Sequence, residues 1–523
     1  MTRMKYKMES NRNFRNRTYK KLNNLLLGLA FTSITLMGFA QQQNFAVVDK
    51  SMSEKELVNI AANIVPSPQQ LRWQRLELTG FLHFGINTFT GKEWGDGKED
   101  PKLFNPTELD AKQWVKTCKE AGIKQVILTA KHHDGFCLWP TKFTEHSIKN
   151  SLWKDGKGDV VKEVADACKE IGMGFGVYLS PWDMNNGSYG TDAYNDFFIN
   201  QLTELLTQYG QIDEVWFDGA NGEGPNGKKQ VYDFERWYAH IRKLQPQAVI
   251  AVSGPDVRWV GTETGHGREE EWSVVPVGKK NKLNEGSQTK ADAPPAGDMR
   301  EQVLGSRSQL KEGDALKWYP AETDVSIRPG WFYHESEDKK VKTPEYLKEI
   351  YFNSVGRNGV LLLNIPPDKR GLITDYDSAA LKVWREKLNH IFAVNILKES
   401  KTVGAVKKIK RVLDGNDATH CLLPMKGNKN TVEMDLNRER TFNVLMLQEN
   451  ITVGQRVEKF VLEYWKNGEW KKATEGTTIG FKRLLEFPTV IASKVRLRIL
   501  SSRLKPALSE VGLYFDKQSK KQK

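Results

Sequence analysis

The chain has 523 residues, of which 39% are apolar and 27% charged, and its formal net charge is +13. That length exceeds one small domain, and that balance belongs to a globular protein rather than a disordered or fibrous one. Residues 1–40 carry eight basic residues and one acid, leaving about +6 on the rest with no basic stripe interleaved with aromatics, so no nucleic-acid partner is expected.

Residues 1–40 read as a secretory signal peptide. Arg12, Arg15, Arg17, Lys20 and Lys21 precede the apolar run "LLLGLAFTSITLMGFA", and Gly38 and Ala40 supply small residues before a cut at Gln41. The run is short for a membrane span, and no Cys stands at the cut to carry a lipid. The mature chain is therefore expected in the periplasm of a bacterium or outside the cell, without stable membrane insertion. Residues 41–65 are a lead-in segment.

Over residues 66–396 short apolar runs alternate with amphipathic helical patterns. The strand-like runs are "LTGFLHFGI", "KQVILTAKHHDG", "GFGVYLSP", "DEVWFDG", "AVIAVSGP", "KWYPAETDVS" and "GVLLLNIPPD". Between the first five lie helical patterns such as "DAKQWVKTCKEAG" and "DVVKEVADACKEIG", which stop at Gly as helices often do. Continuous apolar strands separated by helices imply a parallel sheet covered on its faces. About eight such units fit a (β/α)8, TIM-like barrel better than an open doubly wound sheet, and no Gly-rich dinucleotide fingerprint follows the first strand. The segment from 278 to 298 reads as a long exposed loop inside this domain.

After the junction helix "SAALKVWREKLNHIFAVN" the character changes. "EKFVLEYWKNGEWKKA" is a hairpin around Asn467-Gly468, "KVRLRIL" alternates at period two, and "SEVGLYF" closes the domain. Residues 397–523 are expected to form a jelly-roll-like β-sandwich. Cys118, Cys137, Cys168 and Cys421 do not suggest a disulfide framework in a chain this long. Cys118 and Cys168 occupy matching apolar helix positions, as buried thiols do.

Barrel chemistry sits where the strands end. Those ends present His83, then His132, His133 and Asp134, then Tyr178, Asp218, Glu263 with the acidic run Glu269–Glu271, Glu322 with Asp324, and Trp331. Each has a bland explanation: a strand-end His packs in the core, an acid caps a helix, and Glu269–Glu271 is a solvated loop. His132 and His133 would face opposite sides of a regular strand. Their convergence on one rim is harder to dismiss. Imidazoles with an Asp suit a metal-dependent hydrolase, but there is no His-x-His on the first strand and no carbamylatable Lys at a convincing strand end. Glycoside hydrolysis by paired carboxylates explains more, because Trp94, Trp139, Tyr178 and Trp331 can pack sugar C–H faces.

Together "HFGINTF…EW", "AKHHDGFCLWPT", "GVYLSPWD", "EVWFDGANG" and "GRNGVLLLNIPPD" resemble the α-L-fucosidases of glycoside hydrolase family 29, in the family's order. The stretch "GPDVRWVGTETG" resembles the branch that acts on α-1,3 and α-1,4 fucosyl linkages of Lewis-type glycans. The resemblance implies a retaining exo-enzyme with Asp218 as nucleophile and Glu263 as general acid/base, Glu269, Glu270 and Glu271 being local rivals. It implies that His83, Glu93, Trp94, His132, His133 and Tyr178 bind fucose, that Trp331 packs an apolar face, and that both His of the pair act, which requires a bent or bulged strand end. No metal and no cofactor is implied; the partner is a fucosylated oligosaccharide or glycoconjugate. A broad-specificity fucosidase and a non-catalytic glycan-binding barrel are the alternatives, and the oligomeric state is not readable.

Overall fold

Eight parallel strands form the first domain: β1 (Leu78–Leu82), β2 (Gln125–Lys131), β3 (Gly174–Leu179), β4 (Glu214–Phe217), β5 (Val249–Val252), β6 (Arg258–Trp259), β7 (Ala321–Ser326) and β8 (Val360–Asn364). This computed structural model describes residues 43–278, 301–403, 408–425 and 430–519. The signal-peptide segment and nearly all of the 278–298 loop lie outside the described residues. The strands run in the order β5-β4-β3-β2-β1-β8-β7-β6, a barrel closed except for a ladder between β5 and β6. Every residue of β2 and of β8 is buried, as strands covered on both faces must be.

Helices α1 (Ala111–Glu120), α2 (Val160–Ile171), α3 (Asp192–Gln208) and α4 (Phe234–Leu244) link the first five strands, α5 (Pro344–Asn353) links β7 to β8, and α6 (Asp375–Phe392) follows β8. Local chemistry starts them: Asp110 and Asp159 accept from the backbone N–H of Gln113 and Lys162 at the starts of α1 and α2. Inside the barrel Trp73, Phe81, Ile127, Tyr178, Trp216 and Leu362 make one apolar core, and a larger one lies between sheet and helices.

Two expectations need correction. "KWYPAETDVS" is not one strand but two. Ala315–Trp318 joins Phe45–Val47 and Val274–Val277 in a small antiparallel sheet, while β7 starts after Pro320, which has no N–H to continue a ladder. The sixth barrel strand is instead β6, two residues long and reached from β5 without a helix, too short to show a period in the sequence.

Beyond α6 lies an antiparallel domain built from β9 (Thr431–Glu449), β10 (Val457–Lys466), β11 (Glu469–Gly476), β12 (Arg483–Ser502) and β13 (Ala507–Tyr514), with the short strand Cys421–Leu422 beside β13. Register shifts along β9–β12 mark bulges that bend these long strands around a core including Phe442, Phe460, Leu497 and Leu513. The β10–β11 turn has φ of 55° at Asn467 and 82° at Gly468, the left-handed pair of a type I′ hairpin. All four cysteines are buried free thiols. Among the described residues no helix is long and apolar enough to cross a membrane.

Candidate active site

Side chains at alternate positions of β4 and its extension climb the barrel interior. Glu214 lies at the floor, where its Oε2 accepts from Trp73 Nε1 at 3.1 Å and Gln125 Nε2 at 2.6 Å. Trp216 follows, its indole N–H donating to Glu322 Oε1 on β7 at 2.7 Å. Burial pushes both Glu214 and Glu322 above the usual carboxylate range, with Asp213 and Asp256 adding to the rise at Glu214 and Glu214 adding to it at Glu322. Asp218 comes next, one residue past the strand, with its side chain opening onto the rim. Its Oδ1 accepts from the backbone N–H of Ala220 at 2.7 Å, and its Oδ2 from the Tyr178 hydroxyl at 3.2 Å. Burial and then the Asp218 charge hold the Tyr178 phenol well above its ordinary pKa, so it donates. A Cβ on Gly219 would meet only Ser253 Oγ, at 3.6 Å, so the fold itself does not require glycine there.

Three imidazoles crowd beside this carboxylate. β2 ends at Lys131, and its register with β3 slips between Thr129 and Lys131. The slip turns the next two residues off the strand, and the rings of His132 and His133 lie 4.1 Å apart on the same side. This corrects the regular-strand expectation. Lys131 does end the strand, yet its ammonium points away into Asp183 Oδ2 at 2.9 Å and Gln201 Oε1 at 3.0 Å. His83 Nδ1 pairs with Asn364 Oδ1 at 2.9 Å. Burial drives His83 down to about 3, His132 well below its ordinary value and His133 down as well, so all three rings are neutral near pH 7. The hydroxyl of Ser180 is donated to the Trp182 carbonyl at 2.6 Å, so at 2.8 Å from His133 Nδ1 it accepts. The proton of His133 is thus assigned to Nδ1, leaving Nε2 as an acceptor 3.8 Å from Asp218 Oδ2.

Aromatic walls surround the rim. Trp331 stacks obliquely on His83 at 5.1 Å, and its backbone N–H donates to Glu93 Oε2 at 2.8 Å. The other oxygen of Glu93 meets His334 Nε2 at 2.6 Å, so Glu93 ties down the segment carrying Trp331. Trp94 is 57% exposed and edges against His133 and Trp182. Sequence reasoning missed Trp182 and Phe332, which pack on His133 at 4.9 Å and on His132 at 5.0 Å. Trp182 lies in the quoted run "GVYLSPWD", beyond the strand, where no periodicity marks it. Trp139 goes the other way: it is buried away from the rim, its indole bonded to Glu204 at 2.8 Å. Asp134 is likewise buried, accepting from Asn87 and the backbone of Phe136, with its carboxyl pushed up to about 8 by burial.

The four glutamates after β6 separate cleanly. Glu269 is held by Arg357 and Arg483, and Glu270 accepts from Trp272 Nε1 at 2.9 Å. Glu271 is buried between Arg258 and Arg268, contrary to the solvated loop expected for this run. Glu263 is exposed on the rim, bonded to Trp331 and close enough to Asp218 to feel its charge. Its carboxyl is raised, first by partial removal from water; the Trp331 hydrogen bond lowers it and Asp218 raises it again. Beneath lies Asp324, bonded to Trp259 Nε1 at 2.8 Å and pushed up to about 7 by burial, with Glu263 and Asp218 adding to the rise. The rim thus offers one oriented carboxylate, one carboxyl with a raised pKa, neutral imidazoles and aromatic faces. That set suits a neutral polyhydroxylated ring.

Comparisons with known proteins agree with that chemistry. A family model described as Alpha-L-fucosidase matches residues 83–386, and one described as F5/8 type C domain matches residues 397–510. The chain is 44% identical to Alpha-L-fucosidase 1 of Arabidopsis thaliana over 468 residues, covering 87% of this chain and 88% of the plant protein. It resembles the crystal structure of a putative alpha-L-fucosidase from Bacteroides ovatus at 51% identity and TM-score 0.80, over 92% of this chain and 79% of that one. A Ruminococcus gnavus GH29 fucosidase solved in complex with fucose is 33% identical with TM-score 0.75, over 87% of this chain and 96% of the other.

Proposed function

This chain belongs to the α-L-fucosidases of glycoside hydrolase family 29, and from that premise we propose that it removes terminal α-1,3- or α-1,4-linked L-fucose from branched, Lewis-type glycans by a retaining mechanism. The observation that carries the reading is the pairing on one rim of Asp218, oriented by Tyr178 and the Ala220 N–H, with Glu263, whose carboxyl is raised by partial burial.

An Asp218 carboxylate oxygen attacks the anomeric carbon, and the C–O bond to the leaving sugar breaks as Glu263 gives its proton to the departing oxygen. The products of this step are a fucosyl ester on Asp218 and the free sugar. Glu263, now a carboxylate, takes a proton from water; that water's oxygen bonds the anomeric carbon and the ester bond breaks, restoring both carboxyl groups. Neutral His83, His132 and His133 suit sugar hydroxyls, each able to donate from one ring nitrogen and accept at the other. His133 Nε2, bare toward Asp218, suits a hydroxyl that donates to it. Trp331 and Trp94 offer apolar faces, and Glu93 keeps Trp331 in place.

The branch preference rests on the wording of "GPDVRWVGTETG" around Glu263. Residues 1–40 support export to the periplasm or the medium, with residues 66–396 as the catalytic domain and 397–523 as its companion. The test compares hydrolysis of an aryl fucoside, 2′-fucosyllactose and a Lewis trisaccharide. Strong preference for the trisaccharide is expected, and equal rates on all three would overturn the branch assignment.

A further inference from the structure

The segment that carries Glu263 is gripped from two sides. It leaves β6 as an arch whose feet both stand on β7: Val260 N–H donates to the Glu322 carbonyl at 2.9 Å, and Gly265 N–H to the Asp324 carbonyl at 3.0 Å. Gly265 has φ of +73°, and a Cβ there would lie 2.9 Å from Val325 and Ile350, so the arch rests directly on the barrel. Glu263 is at its crown. Downstream, Gly267 N–H donates to the Asn353 carbonyl at 2.7 Å and its carbonyl accepts from Arg357 at 2.9 Å.

From Glu269 onward the other domain adds partners to those the barrel supplies, which are Arg357 on Glu269, Asn358 on the Glu271 carbonyl and Arg258 on the Glu271 carboxylate. Arg483, at the start of β12, donates to the Glu269 carbonyl and to Glu269 Oε2, both at 2.9 Å, and Thr477 Oγ donates to the same carbonyl. Thr478 Oγ accepts from Glu271 N–H at 3.1 Å. Gln455 Nε2 donates to the Glu271 carbonyl at 2.9 Å, and its Oε1 accepts from Ser273 N–H at 2.7 Å. Glu271, Ser273, Gln455, Thr478 and Arg483 are all buried, so water cannot replace these partners. Only the short run from His266 to Arg268 lies between the arch and this second grip, and chain that short carries a displacement onward.

We propose that the C-terminal β-sandwich is part of the catalytic apparatus, with Arg483, Thr478 and Gln455 acting as positioning residues that hold the Glu263 loop in register with Asp218. The sandwich completes the anchoring of the loop's far end, which the barrel holds through Arg357, Asn358 and Arg258. This inference rests on the reading of Glu263 as the general acid.

The test uses leaving groups. A general acid matters for a sugar leaving group and hardly at all for fluoride, which departs without a proton. In the full chain, Arg483→Met, Thr478→Val, Arg483→Lys and Glu263→Ala are compared on a fucosyl disaccharide and on fucosyl fluoride, reading kcat/KM, which reports the first displacement only. Arg483→Met and Thr478→Val are expected to lose about tenfold on the disaccharide, a part of the usual general-acid contribution. On fucosyl fluoride they should stay within about twofold, and Arg483→Lys should recover part of the loss. Equal losses on both substrates, or none on either, would overturn the proposal; Thr478→Val, which removes a single acceptor, decides it should Arg483→Met not fold. Glu263→Ala separates the two claims. If it shows the leaving-group dependence and the sandwich variants do not, only the positioning role falls. If it shows none, the general-acid reading falls and takes this proposal with it.

Discussion

The Tyr178 hydroxyl donates to Asp218 Oδ2 at 3.2 Å, and this contact follows from strand register. Tyr178 on β3 lies opposite Trp216 on β4, and the two rings stack 5.2 Å apart, which sends the phenol up to the carboxylate two residues later. Trp216 is fixed in turn by Glu322 across the barrel. The orientation of Asp218 is therefore set by packing that begins at the barrel floor.

Tyr178→Phe keeps the stack and deletes the donor. A hydrogen bond to a charged group contributes about 1.5–3 kcal/mol, so kcat/KM should fall roughly tenfold or more with little change in thermal stability. Unchanged steady-state kinetics would show that the bond does not orient Asp218 for the proposed attack.

Azide tells the two carboxyl groups apart. Asp218→Gly should lose about 10³-fold or more in turnover, and azide should enter the vacated face to give a fucosyl azide of inverted configuration. Glu263→Ala should instead be rescued as the azide of retained configuration, because azide replaces water against the intermediate. Product NMR reads the configuration; exchanged outcomes would swap the roles.

The pH profile has a sign that can be worked out. In its proposed role as general acid Glu263 acts protonated, and its carboxyl is raised, so activity should decline as pH rises through its pKa, making Glu263 the alkaline limb of kcat/KM. The Trp331 hydrogen bond favours the ionised form and lowers that pKa. Trp331→Phe should therefore move the alkaline limb to higher pH while reducing its height. A limb that stays put or moves down contradicts the contact.

Glu271 provides a negative control among the glutamates. It is buried between Arg258 and Arg268, and both guanidinium groups are buried too. Its carboxylate is held below the ordinary range because the two arginines outweigh the cost of burial. Glu271→Ala strands two buried cations and should cost about 3–5 kcal/mol of stability. The loss should appear in denaturant unfolding, and azide should restore no activity; rescue by azide would make Glu271 a catalytic group after all.

Much was legible in the residues alone. Apolar runs with helical patterns between them set a covered parallel sheet, because only side chains that suit both faces of a strand make such runs. Where those runs end, His83, Tyr178 and Asp218 had to fall on one rim, since parallel strands end on the same side. The Asn467-Gly468 turn was equally readable, being local backbone chemistry.

Other features depended on partners distant in sequence. His132 and His133 share a side because β2 slips against β3, which neither strand reveals by itself. β6 exists only through its pairing with β7, and Trp182 reaches the rim by a turn beyond its strand. Four glutamates within nine residues look alike as letters. Arginines from α5's end and from another domain neutralise Glu269, two buried arginines neutralise Glu271, and Trp272 occupies Glu270, while Glu263 is left beside Asp218. A residue's type and its place along a strand are local properties; a carboxyl group's protonation and orientation belong to whatever the fold brings against it.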